Sequence, residues 1–255
     1  MSLDSHLLLL AAVPVTGFAA GFINTLAGSG SLITLPILIL LGLPANVANG
    51  TNRVGVLLQN VVAVATFRRS GTLALTGAPQ LVLPAVVGSL IGAALAVDLD
   101  EALLRRIIGA LMLVMLVVML LKPERWVDEH ATGRPARLWV EVPLLFVIGV
   151  YGGFIQAGVG IFLIAGLVLA AGFNVLRANA LKNLVNLVVT AAALVVFVIN
   201  DQVDWRIGLA LAAGQATGAW VAARMAVKRG APFVRWAVIG IVVLSAGALL
   251  AGVRV

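Results

Sequence analysis

Two basic residues, Arg53 and Lys182, stand inside long apolar runs, whereas most other charged residues lie at run ends or in loops. All ten acidic residues lie at run ends or in loops, so neither cation has a carboxylate partner deep within the runs. A charge inside a bilayer costs at least about 2.5 kcal/mol and normally has a partner or faces a watery cavity. The pattern predicts an anion site. The alternative is that both side chains extend to the membrane interface, since each lies within about two turns of its helix start.

Amide and hydroxyl side chains accompany the two cations. Positions 49, 52, 53, 56 and 60 share one helical face, and positions 179, 182, 183 and 186 share another. Such a polar stripe either bonds to neighbouring helices or lines a path. Arginine can grip an oxyanion with two parallel hydrogen bonds, whereas lysine acts as a point charge. The predicted substrate-binding residues are Asn24, Thr25, Ser29, Ser31, Asn49, Asn52, Arg53, Gln156, Asn179, Lys182 and Asn183.

Two glycine-rich breaks, 24–31 and 156–160, interrupt the chain where a helix should cross the membrane. Irregular backbone at that depth is tolerated only when it is buried in protein or lines a cavity. Free amides at the start of a half-helix can bind an anion. The alternative is a tight helix–helix contact made by small residues. A nucleotide loop is excluded, because no βαβ unit surrounds the glycines and no Lys-Ser/Thr pair follows.

The composition indicates the class of protein that must position these residues. The chain has 255 residues, 62% hydrophobic and 11% charged, with a mean hydropathy of +1.14. A soluble domain has about 25% charged residues. We therefore expect an all-α, polytopic membrane helical bundle. The absence of cysteine excludes cysteine-type metal sites, and we expect no metal and no cofactor. The net charge of +7 indicates basic cytoplasmic loops and not a nucleic-acid partner.

The apolar runs predict eight to ten membrane segments, some of them short. The runs 32–41 and 161–171 would give helices of only about 15 Å, half a bilayer. They are therefore predicted to be half-helices or re-entrant arms. The first run, 7–23, lacks the basic flank of a cleaved signal peptide and is interpreted as a retained membrane element.

The two halves of the chain resemble each other at a nearly constant spacing. Residues 21–24 (GFIN) match 153–156 (GFIQ), Gly42 pairs with Gly172, and Gly88 pairs with Gly218. These matches follow the same order of long and short runs. We divide the chain into a first membrane repeat at 1–121, a cytoplasmic linker at 122–138 and a second membrane repeat at 139–255.

Charge predicts the orientation of the repeats. Arg68 and Arg69 follow the third run, whereas the equivalent place in the second half holds Asp201 and Asp204. By the positive-inside rule, equivalent loops then face opposite sides and the repeats are inverted. Arg68, Arg69, the linker and the stretch 224–235 would face the cytoplasm, and both termini the periplasm.

The sequence also resembles a known family. The stretches 21–32 (GFINTLAGSGSL), 41–44 (LGLP) and 47–53 (VANGTNR) look like the first signature of the TauE/SafE sulfite exporter family, and 152–160 (GGFIQAGVG) and 178–183 (ANALKN) are similar to its second. The resemblance covers nearly the whole chain. It implies a bacterial inner-membrane transporter of sulfite or related sulfur-containing organic anions such as sulfonates. The first break of the family is richer in glycine, whereas in this sequence Ser29 and Ser31 alternate with the glycines.

These observations favour a secondary transporter that exports small anions by alternating access around a site between the repeats. The alternative is an anion-selective channel that uses the same basic residues as its selectivity element. An enzyme is disfavoured, because the sequence has no acid or histidine deep within an apolar run, no cysteine and no metal-ligand spacing. The expected partners are a small-molecule anion and the lipid bilayer, and a homodimer is compatible with the sequence.

Overall fold

The computed structural model describes residues 3–73, 78–120 and 138–250, and these ranges contain helices joined by turns and no strand. The all-α prediction is confirmed for this part of the chain. The predicted linker lies outside the described residues, except that Leu138 begins a helix. The helices are α1 (Leu3–Ala27), α2 (Ser31–Leu40), α3 (Ala45–Arg69), α4 (Ala78–Val97), α5 (Glu101–Leu120), α6 (Leu138–Phe154), α7 (Val159–Leu169), α8 (Val175–Ile199) and α9 (Trp205–Leu250).

Two of these helices are too short to cross a bilayer. α2 has 10 residues and α7 has 11, which corresponds to about 15–17 Å at 1.5 Å per residue. Each follows a glycine-rich break and precedes a 25-residue helix, α3 or α8. The predicted half-helices are thus confirmed, with ends that differ from the predicted runs by one or two residues.

The long helix α9 is bent at one residue. Gly230 has φ 73° and ψ −166°, a conformation that glycine adopts without a Cβ penalty. Pro232 follows and cannot donate a backbone hydrogen bond to the preceding turn. α9 therefore consists of two helical segments. They correspond to two apolar stretches of the sequence, 207–227 and 233–253, which the basic residues around Gly230 separate.

The distribution of polar side chains is the reverse of that in a water-soluble protein. Large apolar side chains such as Leu83, Val147 and Ile199 are 62–74% exposed. Many amides and hydroxyls, together with Arg53 and Lys182, are buried. Within the described residues, 79–97 and 175–199 have the length and hydropathy of a membrane span, and several shorter helices are also apolar. An apolar surface around a polar interior is that of a helical membrane protein.

Glycines bring α1 and α9 into backbone contact. Gly214 faces the carbonyl of Pro14, and Gly218, one turn later, faces that of Phe18. A methyl group at either glycine would overlap the opposite backbone. Both helices advance together along this contact, so they run in the same direction.

α4 and α6 form the matching contact. Gly88 faces the carbonyl of Phe146, and Gly92 faces that of Val150. These helices therefore also run in the same direction. The glycines at 88 and 92 and at 214 and 218 thus form two small-xxx-small motifs, which allow close helix packing.

The long helices α3 and α8 run in opposite directions. Gly50, near the start of α3, packs against Phe197 near the end of α8. Arg68, near the end of α3, shares a surface groove with Leu187. α4 runs in the same direction as α8. The hydroxyl of Ser89 donates to the carbonyl of Val189 at 2.8 Å, and Ala96, further along α4, lies in one apolar cluster with Phe197, further along α8.

α3 in turn runs with the first segment of α9. Gly208 packs against Val54, and Arg224, further along α9, lines a groove with Thr66. α1, α3 and the first segment of α9 thus run one way, and α4, α6 and α8 run the other way.

Left-handed backbone conformations recur at equivalent positions in the two halves. Apart from Gly230, the described residues with positive φ occur in pairs that share one constant spacing along the chain. These pairs are Gly28 and Gly158, Gly42 and Gly172, and Gly71 and Asp201.

Candidate functional site

Both glycine-rich breaks lie against the middle of a long helix. The amide of Asn24 donates to Gln59 Oε1 at 3.2 Å, and Gln59 is near the midpoint of α3. The amide of Gln156 donates to Asn186 Oδ1 at 2.8 Å, and Asn186 is near the midpoint of α8. All four side chains are at most 4% exposed. The breaks are therefore buried at the centre of the bundle, as irregular backbone at membrane depth must be.

The two breaks touch each other through glycine. A Cβ on Gly28 would overlap the backbone of Gly160, and a Cβ on Gly160 would overlap Gly28. Gly28 also has φ 79°, which other residue types adopt at a cost of about 1–2 kcal/mol. Each break joins two helices into a hairpin, α1–α2 in the first half and α6–α7 in the second. Only a residue without a side chain allows these two hairpins to cross so closely.

Arg53 is completely buried and binds the end of α6. Its guanidinium donates to the carbonyls of Gly152 at 3.0 Å and Gly153 at 2.6 Å, and to Gln156 Oε1 at 3.1 Å. It also lies 4.7 Å from the centre of the Phe197 ring. The exposed fraction of Arg53 is 0%, so its side chain does not extend to solvent.

Lys182 makes the matching contact from the other half, one residue from the position equivalent to Arg53. Its ammonium donates to the carbonyls of Asn24 and Thr25, each at 2.8 Å, in the last turn of α1. Its exposed fraction is 1%. The alternative prediction, that both cations extend to the interface, is therefore wrong.

The C-terminal carbonyls only partly balance these cations. The end of a helix carries about half a negative charge, whereas each side chain carries a full positive charge. Neither cation contacts a carboxylate in the described part of the chain. The buried acid Glu141 lies in the first turn of α6, and Arg53 binds the last turn, about 16 Å further along the helix axis. An anion that enters the centre would thus meet uncompensated positive charge.

Several predicted residues bind other helices directly. The amide of Asn52 donates to Ser31 Oγ at 3.0 Å and accepts from Thr34 at 2.6 Å. Asn49 donates to the carbonyl of Phe154 at 2.8 Å. For Ser31, Asn49 and Asn52 the observed contacts are helix–helix contacts, the first of the two roles expected for a polar stripe.

Other predicted residues keep buried polar atoms without a partner in the structure. A buried polar group without a partner costs about 1–3 kcal/mol, so a bound molecule would stabilise such a group. Asn179 has neither of its amide atoms bonded, although it is 0% exposed. The other such atoms among the predicted residues are Thr25 Oγ1, Ser29 Oγ, Arg53 Nε and Asn183 Oδ1.

All eleven predicted residues are thus buried. Arg53 binds the end of α6, and Lys182 binds the end of α1. The predicted residues are joined by four that were not predicted as site residues: Gln59, Asn186, Thr190 and Gln215, each at most 3% exposed. The signal that would have identified them is an amide or hydroxyl inside an otherwise apolar helix.

The described residues contain no group of three His, Cys, Asp or Glu side chains that could hold a metal ion. The chemistry of the centre is therefore that of amides, hydroxyls, backbone carbonyls and two cations, which can bind and release a ligand.

Comparison with known proteins identifies relatives along the length of the chain. The protein is 33% identical to probable membrane transporter protein ORF9 of Sinorhizobium over 89% of this chain and 87% of that protein. It is 29% identical to a probable membrane transporter protein of Haemophilus influenzae over 91% of both chains. It is also 29% identical to the probable membrane transporter protein YfcA of Escherichia coli over 89% of this chain and 84% of that protein.

No solved structure matches the chain. The sulfite exporter TauE/SafE family matches residues 13–249, which include both breaks and both buried cations. The chain therefore belongs to the TauE/SafE sulfite exporter family of membrane transporters.

Proposed function

We propose that this transporter exports small oxyanions, sulfite or organosulfonates, by alternating access around the crossing of the two breaks. The observation that carries the proposal is the burial of Arg53 and Lys182 with no carboxylate partner among the described residues. Buried charge is normally paired. An anionic substrate would supply the pairing while it is bound.

Each cation keeps a donor for such a ligand. The ammonium of Lys182 has three protons and uses two of them on the carbonyls of Asn24 and Thr25. The Nε of Arg53 is buried and has no partner. The hydroxyls of Thr25 and Ser29 and the amide of Asn179 are donors of the same kind. Sulfite and sulfonate groups present three oxygens that these donors would share.

Alternating access requires two structurally similar halves that can exchange conformations around a fixed site. The opposed helix directions, the matched pairs α1–α9 and α4–α6, and the positive φ values that recur at equivalent positions support an inverted repeat. In our proposal Arg53 holds the α6–α7 hairpin on one side of the crossing of the two breaks, and Lys182 holds the α1–α2 hairpin on the other side. Exchange of a carbonyl contact for a substrate oxygen at one cation would release that hairpin.

The membrane potential favours outward transport of an anion. Moving one negative charge out of a cell with a negative interior is favoured by about 2.3 kcal/mol per 100 mV. The described helices provide no buried carboxylate at the centre for an acidic proton relay. We propose that export is driven by the anion's own gradient and charge.

Flux of sulfite from proteoliposomes tests this function. The wild type should release sulfite with saturable kinetics, and Arg53→Gln should lower the rate at least about tenfold, because a charge-assisted hydrogen bond contributes about 1.5–3 kcal/mol. Arg106→Gln is the control, since Arg106 is an exposed arginine on α5. Unchanged flux in Arg53→Gln would remove the assigned role. Single-channel currents in place of saturable exchange would establish the channel alternative.

A further inference from the structure

Two open grooves flank the second half of α3 on the outer surface of the bundle. The groove between α3 and α9, the α3–α9 groove, has a volume of about 630 Å³ and is bounded by Trp220 and Arg224 on α9. The groove between α3 and α8, the α3–α8 groove, has a volume of about 590 Å³ and is bounded by Leu187 on α8. Val61 and Ala65 line both grooves and form the ridge between them.

The ridge faces away from the central site. Val61 and Ala65 are exposed, whereas Gln59, Asn60 and Ala63 on the opposite side of α3 are completely buried. In a membrane protein an exposed apolar ridge contacts lipid chains. The two grooves are therefore separate from the anion site proposed above.

Positive charge is concentrated at one end of both grooves. Arg69 lines both grooves, Arg68 lines the α3–α8 groove, and Arg224 and Lys228 line the α3–α9 groove. No acidic residue lines either groove in the described part of the chain. We call these four residues the cationic rim.

The rim is ordered by an aromatic contact. The Arg224 guanidinium lies 4.1 Å from the centre of the Trp220 ring, a cation–π distance that restricts its orientation. Trp220 is 45% exposed. Exposed tryptophan side chains are enriched at the membrane–water interface.

We propose that the two grooves bind one anionic diacyl phospholipid. Its phosphate would lie on Arg69, Arg224 and Lys228, and its two chains would lie in the two grooves on either side of the Val61–Ala65 ridge. Basic pockets between transmembrane helices on the cytoplasmic side recognise anionic head groups. Arginine binds phosphate with two parallel hydrogen bonds.

The chemistry of the surface favours this lipid over two other ligands. A free phosphate ion would use the rim but not the apolar grooves below it. A second copy of the chain related by a two-fold axis would place one cationic rim near another, and like charges oppose association. An anionic phospholipid matches both the charged and the apolar parts.

Thermal unfolding of the full-length chain in detergent provides the test. Phosphatidylglycerol should raise the midpoint temperature, and phosphatidylcholine with the same acyl chains should not. The double variant Arg69→Gln/Arg224→Gln should weaken phosphatidylglycerol binding about 25-fold, since each basic residue near the surface contributes about 1 kcal/mol. Arg105→Gln/Arg106→Gln removes the same charge from exposed positions on α5 and should leave binding unchanged.

A second variant separates the lipid from other ligands. Ala65→Trp fills the ridge at an exposed position and retains the rim, so it should weaken phosphatidylglycerol binding at least about fivefold. Equal stabilisation by both lipids, the same stabilisation by inorganic phosphate, or undiminished lipid binding in Ala65→Trp would each overturn the proposal. So would a change in the number of protomers per particle in the rim variant.

Discussion

The guanidinium of Arg53 and the ammonium of Lys182 are both bonded to carbonyls in the last turn of a helix from the other half of the chain. Such contacts satisfy hydrogen bonding without neutralising the charge. A structural ion pair would need a carboxylate, and the described residues place none beside either cation. This arrangement supports the proposal that a negatively charged ligand binds reversibly at the centre.

At the residue scale, Asn179 and Asn52 provide a matched pair of substitutions. Asn179 has no partner for either amide atom, whereas Asn52 uses both sides of its amide. Asn179→Leu should leave the free energy of unfolding of the empty protein unchanged or raise it, because two buried polar atoms without partners are removed. It should also weaken sulfite binding, as measured by ligand-dependent thermal unfolding.

Asn52→Leu should behave in the opposite way. It leaves Ser31 and Thr34 without their partner, so the free energy of unfolding should fall by about 2 kcal/mol. If Asn179→Leu destabilises the empty protein as strongly as Asn52→Leu does, Asn179 is structural and is not a ligand donor.

The sequence predicted which side chains belong to the centre but not how they are distributed among partners. Burial of Asn49, Asn52 and Asn179 follows from one helical periodicity. Asn52 forms hydrogen bonds with α2, whereas the amide of Asn179 has no partner. This difference depends on contacts between helices that are distant in the chain. Periodicity within one helix contains no information about those contacts.

At the scale of the elements, the hairpins α1–α2 and α6–α7 meet at glycines that admit no side chain. Gly28 and Gly42 both have positive φ, but Gly28 touches Gly160 and Gly42 has open space around its Cβ position. The break is thus defined by two separate requirements, a left-handed backbone and close approach.

Comparing Gly28→Ala with Gly42→Ala separates those requirements. Gly42→Ala should lower the free energy of unfolding by about 1–2 kcal/mol, the cost of a left-handed alanine. Gly28→Ala should lower it by about 3 kcal/mol or more, because overpacking adds to that cost. Chemical denaturation of the detergent-solubilised protein measures both. Equal losses would show that the two hairpins do not depend on this contact.

The helix order could be predicted from the sequence, whereas one register could not. Residue matching paired Gly88 with Gly218, but the contacts make Gly88 the counterpart of Gly214. Gly88 packs against Phe146 and Gly214 against Pro14, and the spacing that matches 21–24 with 153–156 also matches Pro14 with Phe146. The connection between α8 and α9 is shorter than that between α3 and α4. α9 is therefore displaced by one turn relative to its counterpart α4. A match at constant spacing along the sequence does not detect this displacement.

At the scale of the whole molecule, charge separates the two ends of the bundle. The cationic rim lies where α3 and the first segment of α9 approach their ends. The other end holds the aspartates at 98, 100, 201 and 204, and there Gln202 donates to the carbonyl of Val97 at 3.1 Å. By the positive-inside rule we propose that the cationic end faces the cytoplasm and both termini the periplasm.

Single cysteines test that orientation against a background without native cysteine. Ser70→Cys at the cationic end should be labelled by an impermeant maleimide only after the membrane is permeabilised. Asn200→Cys at the acidic end should be labelled in intact spheroplasts. Both positions are exposed. Labelling of both cysteines from the same side would contradict the inverted arrangement of the halves.

The most direct measurement for the whole proposal is the thermal stabilisation of the purified protein across a panel of small anions, since a ligand stabilises the state that it binds. Sulfite or a small sulfonate should raise the midpoint temperature of the wild type and of the exposed control Arg106→Gln. In Arg53→Gln the shift should disappear, with the protein still folded. An equal shift in Arg53→Gln, or no shift with any anion of the panel, would contradict the claim that the buried cations bind the substrate.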